Sequence, residues 1–327
     1  MPIPDDHLQR WWVEVATENP HLVDQFRPVL LAFLAFGPGR KASLAGTGFI
    51  IAGNLESALV ITAKHVLTEG VGRAQTPWTS HAPTALFVKS GVPMLTLDPK
   101  KLKLVWAGSH HAEMLNAGHV GYNDTLDVAC CVVTPQEGEL LGFQPSTVPI
   151  DIEVPLVGER VHMVSLSGMT INERVPPTAP SGGGHALEIK RGVSIRIGVV
   201  TGVYPGGLRH YRWPCFTTSI PAEPGMSGGF VTRPRDGKTV AACGIVCADS
   251  SADEARTNYL QCGESIIACA WPSLGLRVPE VMSSDPATPT LTLYEMMRAG
   301  RMDTAIGGIE RIEVVERENR DCSISIR

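Results

Sequence analysis

The sequence predicts a mostly β protein built from antiparallel sandwiches or barrels. Three observations carry that reading. Gly and Pro are abundant, at 33 and 25 of 327 residues, which suits many short strands joined by punctuated loops better than a helical bundle. From residue 28 onward the apolar residues come in short continuous or alternating runs, each bounded by Gly, Pro, Asn, Asp or Ser. No helical pattern is interleaved between those runs, which argues against an α/β fold.

Taken in order, residues 5–26 place Trp11, Trp12, Val15, Leu22, Val23 and Phe26 at roughly helical spacing, so an N-terminal helix packed across the main body is expected. "VLLAFLAFG", residues 29–37, is the most apolar run. It is too short to span a bilayer and reads as a buried strand. "GTGFIIAG", "ALVITAK", "TALFVKS", "LKLVWAG", "VACCVVT", "ERVHMVSLSG", "SIRIGVVTGVY", "CFTTSI", "GGFVTRP", "TVAACGIVCA" and "ESIIACAW" continue the strand series to residue 275. Residues 169–188 have the Pro and Gly content of a surface loop and are a candidate divider between two β-units. Residues 279–290 read as a linker, "LTLYEMMRAG" as a short helix and "RIEVVERENRDCSISIR" as a hairpin. The expected organisation is a helical segment over 1–27, a main domain over 28–275 divided near 150–185, and an extension over 276–327.

Composition narrows the function classes. With 43% hydrophobic and 19% charged residues the chain can bury a substantial core. A net charge of -5 with scattered Lys and Arg supplies neither a nucleic-acid surface nor a polybasic membrane patch. "MPIPDDHLQRWWVEVATENP" lacks the pattern of a secretory signal, so a cytoplasmic location is expected. The eight cysteines are then expected to be reduced. Cys243 and Cys247 on one strand would stand roughly 13 Å apart, beyond disulfide reach, and the neighbours Cys130 and Cys131 should face opposite ways. No Cys or His spacing matches a zinc site, and no cofactor is expected.

"PGMSGGFV", residues 224–231, sets Ser227 between paired glycines just before an apolar run. By itself it is either a tight turn or the seat of a nucleophile. A serine nucleophile requires a histidine base, a carboxylate to orient that base and N–H groups for the oxyanion. His65 closes the apolar run of "ALVITAKHVLTEG", and Asp127 immediately precedes the buried run of "DTLDVACCVV"; Asp124 is the second choice for the carboxylate.

The ordered set "GTGFII", "ITAKH", "LDVA" and "PGMSGG" resembles the chymotrypsin-like (trypsin-like) serine peptidases, and within them the bacterial and intracellular HtrA-like branch, over residues 28–275. The resemblance implies two antiparallel six-stranded β-barrels and a triad of His65, Asp127 and Ser227. It implies an oxyanion hole from the Gly225 and Ser227 N–H groups, and an endopeptidase whose partner is a protein or peptide substrate. Met226 stands where the secreted enzymes carry the Asp that pairs with a freed N-terminus, so control is expected from loop ordering, a terminal segment or a regulatory protein. Pro221 falls where trypsin carries its acidic specificity residue, so a basic P1 preference is not supported, and a small or medium apolar residue at P1 is expected. Cys247, Ala248 and Asp249 match the strand that pairs with substrate backbone, and Asp249 could add an acidic wall. Residues 276–327 are not expected to form a PDZ-like second domain, a departure from the HtrA pattern. An α/β-hydrolase esterase would use the serine motif in a different chain order. A binding module that keeps the fold without hydrolysis is the alternative.

Overall fold

The structure, a computed structural model, describes residues 11–36, 42–67, 86–87, 93–96, 102–107, 112–122, 127–135, 142–174, 186–190, 192–208, 211, 213–234, 240–249, 264–279, 290–303, 306–316 and 322–326. In chain order, strand β1 (Val13–Glu14) and helix α1 (Pro20–Phe26) precede β2 (Leu30–Phe36), β3 (Ala42–Gly53), β4 (Ala58–Thr62), β5 (Leu86–Phe87), β6 (Pro93–Thr96), β7 (Leu102–Ala107), β8 (Ala112–Tyr122) and β9 (Ala129–Pro135). These strands make an antiparallel sheet ordered β5-β6-β8-β7-β2-β3-β4-β9, and β9 pairs back to β8. Six of them thus close a barrel, with β5 and β6 appended, and closure removes the free edges that a flat sheet would expose.

The second half repeats the solution. β10 (Arg160–Leu166), the hairpin of β11 (Thr170–Arg174) and β12 (Ala186–Lys190), β13 (Val193–Tyr204), β14 (Cys215–Thr218), β15 (Phe230–Thr232), β16 (Ala242–Asp249) and β17 (Ser265–Cys269) follow. Their main sheet runs β13-β10-β15-β16-β17-β14 and closes through β13 and β14, while β1 adds to the outer edge of β13. β18 (Arg277–Pro279) and β19 (Thr290–Thr292) pair, helix α2 (Leu293–Arg298) follows, and β20 (Ile312–Glu316) and β21 (Cys322–Ile326) form a final hairpin. Thr292 and Glu295 cap α2 reciprocally. Two antiparallel six-stranded barrels, an N-terminal helix and a short α/β extension therefore make up this mostly β chain.

The pleat explains the continuous apolar runs. In β2, Leu31, Phe33 and Ala35 fill the first barrel, while Leu30, Ala32 and Leu34 point the other way into a core shared by the two barrels. A strand buried on both faces has no polar face to show. Phe230 of the second barrel meets Phe49 of the first and Phe26 of α1 in that shared core, at ring-centroid distances of 5.3 and 5.9 Å. Cys130 faces the shared core and Cys131 the first barrel. Both are buried free thiols, as are Cys215, Cys243, Cys247 and Cys269.

Three expectations change. The helix expected over 5–26 is confined to Pro20–Phe26 within the described residues, because Val13 and Glu14 are extended and pair with Ile197 and Arg196 of β13. Backbone pairing to an open edge outweighs the helical spacing of Trp11, Trp12 and Val15. The join between the barrels, from Pro135 to Arg160, overlaps the expected range 150–185, whereas the candidate divider at 169–188 falls between β10 and β13 of one sheet. The expected loop at 169–188 contains most of the β11–β12 hairpin: "TINER" pairs with "ALEIK", in which Leu187 and Ile189 alternate with polar residues, and the Pro- and Gly-rich residues lie between them.

Candidate active site

β4 ends at Thr62 and the chain enters a helical turn over 64–67, which carries His65 off the barrel rim. β9 pairs with β4, with Thr62 opposite Ala129, so the residues just before β9 lie beside the residues just after β4. That register brings Asp127 to His65. The Lys64 N–H donates to the Asp127 carbonyl at 3.1 Å and the His65 N–H to Asp127 Oδ1 at 2.9 Å. His65 Nδ1 lies 2.7 Å from Asp127 Oδ2. One carboxylate thus holds both the backbone and the ring of His65. With the proton on Nδ1, Nε2 is left as a proton acceptor. The two side chains are 25% and 19% exposed, so the pair is partly open to solvent. Beneath it the buried Cys247 thiol faces the Asp127 carbonyl at 3.5 Å. Burial pushes that thiol well up, and the Asp127 charge adds to the shift, so it stays neutral.

The Ser227 turn needs its glycines. Gly225 and Gly228 have φ of +95° and +85°, a region that side chains resist. A Cβ on Gly228 would collide with the Thr47 carbonyl and the Thr62 hydroxyl and reach 3.0 Å from Ala63 N. The turn is therefore pressed against the strand end that leads to His65. Thr47 of β3 is its anchor. Its N–H donates to the Ser227 carbonyl at 2.8 Å and its hydroxyl donates to the Gly225 carbonyl at 2.7 Å while accepting the Leu166 N–H at 3.0 Å. The Thr62 hydroxyl closes the knot by donating to the Thr47 carbonyl at 2.7 Å.

Within the turn the Met226 N–H donates to Glu223 O at 3.0 Å, Gly228 N–H to Val246 O at 2.7 Å and Gly229 N–H to Met226 O at 2.9 Å. Among the described residues the Gly225 and Ser227 N–H groups meet no acceptor. Ser227 itself is half-buried. Two donors left over in a held turn are suited to an oxygen that gains charge.

The remaining candidates fall differently. Pro221 is half-buried, and its carbonyl accepts Arg196 Nη1 at 3.0 Å. Cys247 is the extra residue of a bulge between Val246 and Ala248, and its buried thiol lies beneath Asp127. Ala248 and Asp249 pair through their backbones with Ile266 and Ser265 of β17. Asp124 lies outside the described residues. Sequence reasoning did not single out Thr47, Thr62 or Arg196 for a role. The one available signal was the pair of glycines flanking Thr47 in "GTGFII", which marks close approach without naming what approaches. Among the described residues no group of three His, Cys, Asp or Glu could hold a metal ion, and no helix is long and apolar enough to cross a membrane.

A family model for the trypsin-like peptidase domain matches residues 46–241, a span that contains His65, Asp127 and Ser227. The chain belongs to the trypsin-like peptidase domain family. Among solved structures this trypsin-like peptidase domain is similar to an inactive form of Rv3671c from M. tuberculosis H37Rv, with 13% identity, covering 79% of this chain and 89% of that chain at a TM-score of 0.39. It is also similar to GrC, with 12% identity, covering 76% of this chain and 92% of that chain at a TM-score of 0.41. No curated protein sequence matches it.

Proposed function

We propose that this trypsin-like peptidase domain is a serine endopeptidase that cuts a protein or peptide substrate in the cytoplasm. Ser227 attacks the scissile carbonyl, His65 takes its proton and returns it to the leaving amine, and Asp127 keeps the imidazole in the required tautomer. The Gly225 and Ser227 N–H groups receive the oxyanion. The observation that carries the reading is the double grip of Asp127 on His65 beside a turn whose two spare N–H groups flank the candidate nucleophile. Substrate backbone would lie along Cys247, Ala248 and Asp249, with an apolar residue favoured near Pro221.

The test is labelling with a fluorophosphonate probe followed by intact mass, on wild type, Ser227→Ala and His65→Ala. One adduct on wild type, absent from Ser227→Ala and reduced in His65→Ala, is expected. A folded wild type that takes no adduct, alone or with cell lysate added, would overturn the reading in favour of a fold kept for binding.

A further inference from the structure

The turn that presents Ser227 is tied at its far end to a buried arginine, and that arginine is held by the N-terminal segment. β14 ends at Thr218, and residues 219–226 lead from it to Ser227. Three of these residues are tethered. Ser219 Oγ donates to the Trp11 carbonyl at 2.8 Å and accepts the Val199 N–H at 3.0 Å. Arg196 Nη1 donates to the Pro221 carbonyl at 3.0 Å. Arg196 Nη2 meets Glu223 Oε1 at 2.8 Å. Glu223 in turn passes the constraint on, because its carbonyl accepts the Met226 N–H at 3.0 Å and its own N–H meets Met226 Sδ at 3.2 Å. Met226 is fully buried in the second barrel, directly between Gly225 and Ser227.

Arg196 is as well gripped on the other side. Its side chain is 6% exposed, and its Nε donates to Glu14 Oε2 at 3.1 Å. The Trp12 ring covers the guanidinium at 4.8 Å. Glu14 is itself locked: its carboxylate also accepts Ser194 Oγ at 2.6 Å and the Ile195 N–H at 2.8 Å, while its backbone pairs with Arg196 across β1 and β13. A planar guanidinium with five donors can serve a carboxylate, a carbonyl and a second carboxylate at once, which an ammonium could not do in fixed directions. Glu14 is one of two carboxylates facing this largely buried guanidinium, so its loss removes half of the charge that holds Arg196 in place.

We propose that Trp12 and Glu14 brace Arg196, and that Arg196 is a positioning residue that sets residues 219–227 and with them the Gly225 and Ser227 N–H pair, so that the site is assembled only while the N-terminal segment is docked. For its catalytic consequence this rests on the endopeptidase reading; for its structural content it does not. A regulator could then act by lifting Trp11–Glu14 from β13, with no contact at His65, Asp127 or Ser227.

The test compares wild type with Glu14→Gln, Arg196→Met and Arg196→Lys, each first shown to be folded by its thermal transition. Hydrogen exchange read by mass spectrometry should show residues 219–227 exchanging at least about tenfold faster in Glu14→Gln and Arg196→Met, with β2–β4 unchanged. On a peptide substrate kcat should fall about 100-fold, the scale of a lost oxyanion donor, with KM little altered, and Arg196→Lys should recover part of the loss. Unchanged exchange over 219–227 in folded variants would overturn the brace whatever the activity. Faster exchange with kcat unchanged would overturn its link to the N–H pair. If wild type neither labels nor hydrolyses while exchange still accelerates in the variants, the endopeptidase reading falls and the brace stands.

Discussion

Asp127 holds His65 twice, with Oδ2 at 2.7 Å from Nδ1 and Oδ1 accepting the backbone N–H at 2.9 Å. The two contacts divide the work: one orients the ring, the other places the turn that carries it. Asp127→Asn keeps the size of the side chain but can present an amide N–H towards Nδ1, which forces the other tautomer. On the proposed function, kcat should drop by about 10⁴-fold while the fold persists. Steady-state kinetics beside a thermal melt would check it; a fall of less than tenfold would remove Asp127 from the proposed role.

Thr47 joins the barrels through its hydroxyl. Thr47→Val preserves shape but deprives the Leu166 N–H of its acceptor and the Gly225 carbonyl of its donor, both in a buried setting. A cost of about 2–4 kcal/mol is expected from two unmet groups, together with slower probe labelling. Thr47→Ser should retain most of both. Urea unfolding of the three proteins separates these outcomes.

Gly228→Ala tests the pressed turn. The new Cβ would strike the Thr47 carbonyl at a backbone angle that alanine resists. The expected loss is about 2–4 kcal/mol, with the site disturbed more than the second barrel's interior. An alanine variant of wild-type stability would mean that the turn is not seated as tightly against β3.

His162 gives the fold a pH dependence that is separate from the site. Burial lowers its pKa, and the neighbouring Arg160 charge adds to that. The unfolded chain, whose histidine titrates near about 6.5, then binds more protons in the window below that value. Stability is therefore full above about pH 6.5 and falls as the pH drops towards the folded pKa. His162→Gln should lose less stability than wild type between about pH 7.5 and pH 5, read as the shift in denaturant midpoint. An equal loss in both would assign the acid sensitivity elsewhere.

Much of this was legible along the chain because it is local. Strands buried on both faces announce themselves as apolar runs, as β2 and β9 do, and a turn that needs positive φ requires glycine, as at Gly225 and Gly228. The three candidate residues stand at strand borders, where a local pattern ends and can be seen to end. Trp11 and Trp12 misled for the same reason, since helical spacing is also local and says nothing of an open edge on β13 waiting for β1.

By itself, then, the sequence determined the β composition, the strand runs and the identity of His65, Asp127 and Ser227 as candidates. The tertiary structure decided what meets what. It placed Thr47 on the Ser227 turn, turned Cys247 beneath Asp127 through a bulge, and set Arg196 between Glu14 and Glu223. Those contacts join positions far apart in the chain, and they depend on barrel closure and register, which no short stretch of residues encodes alone.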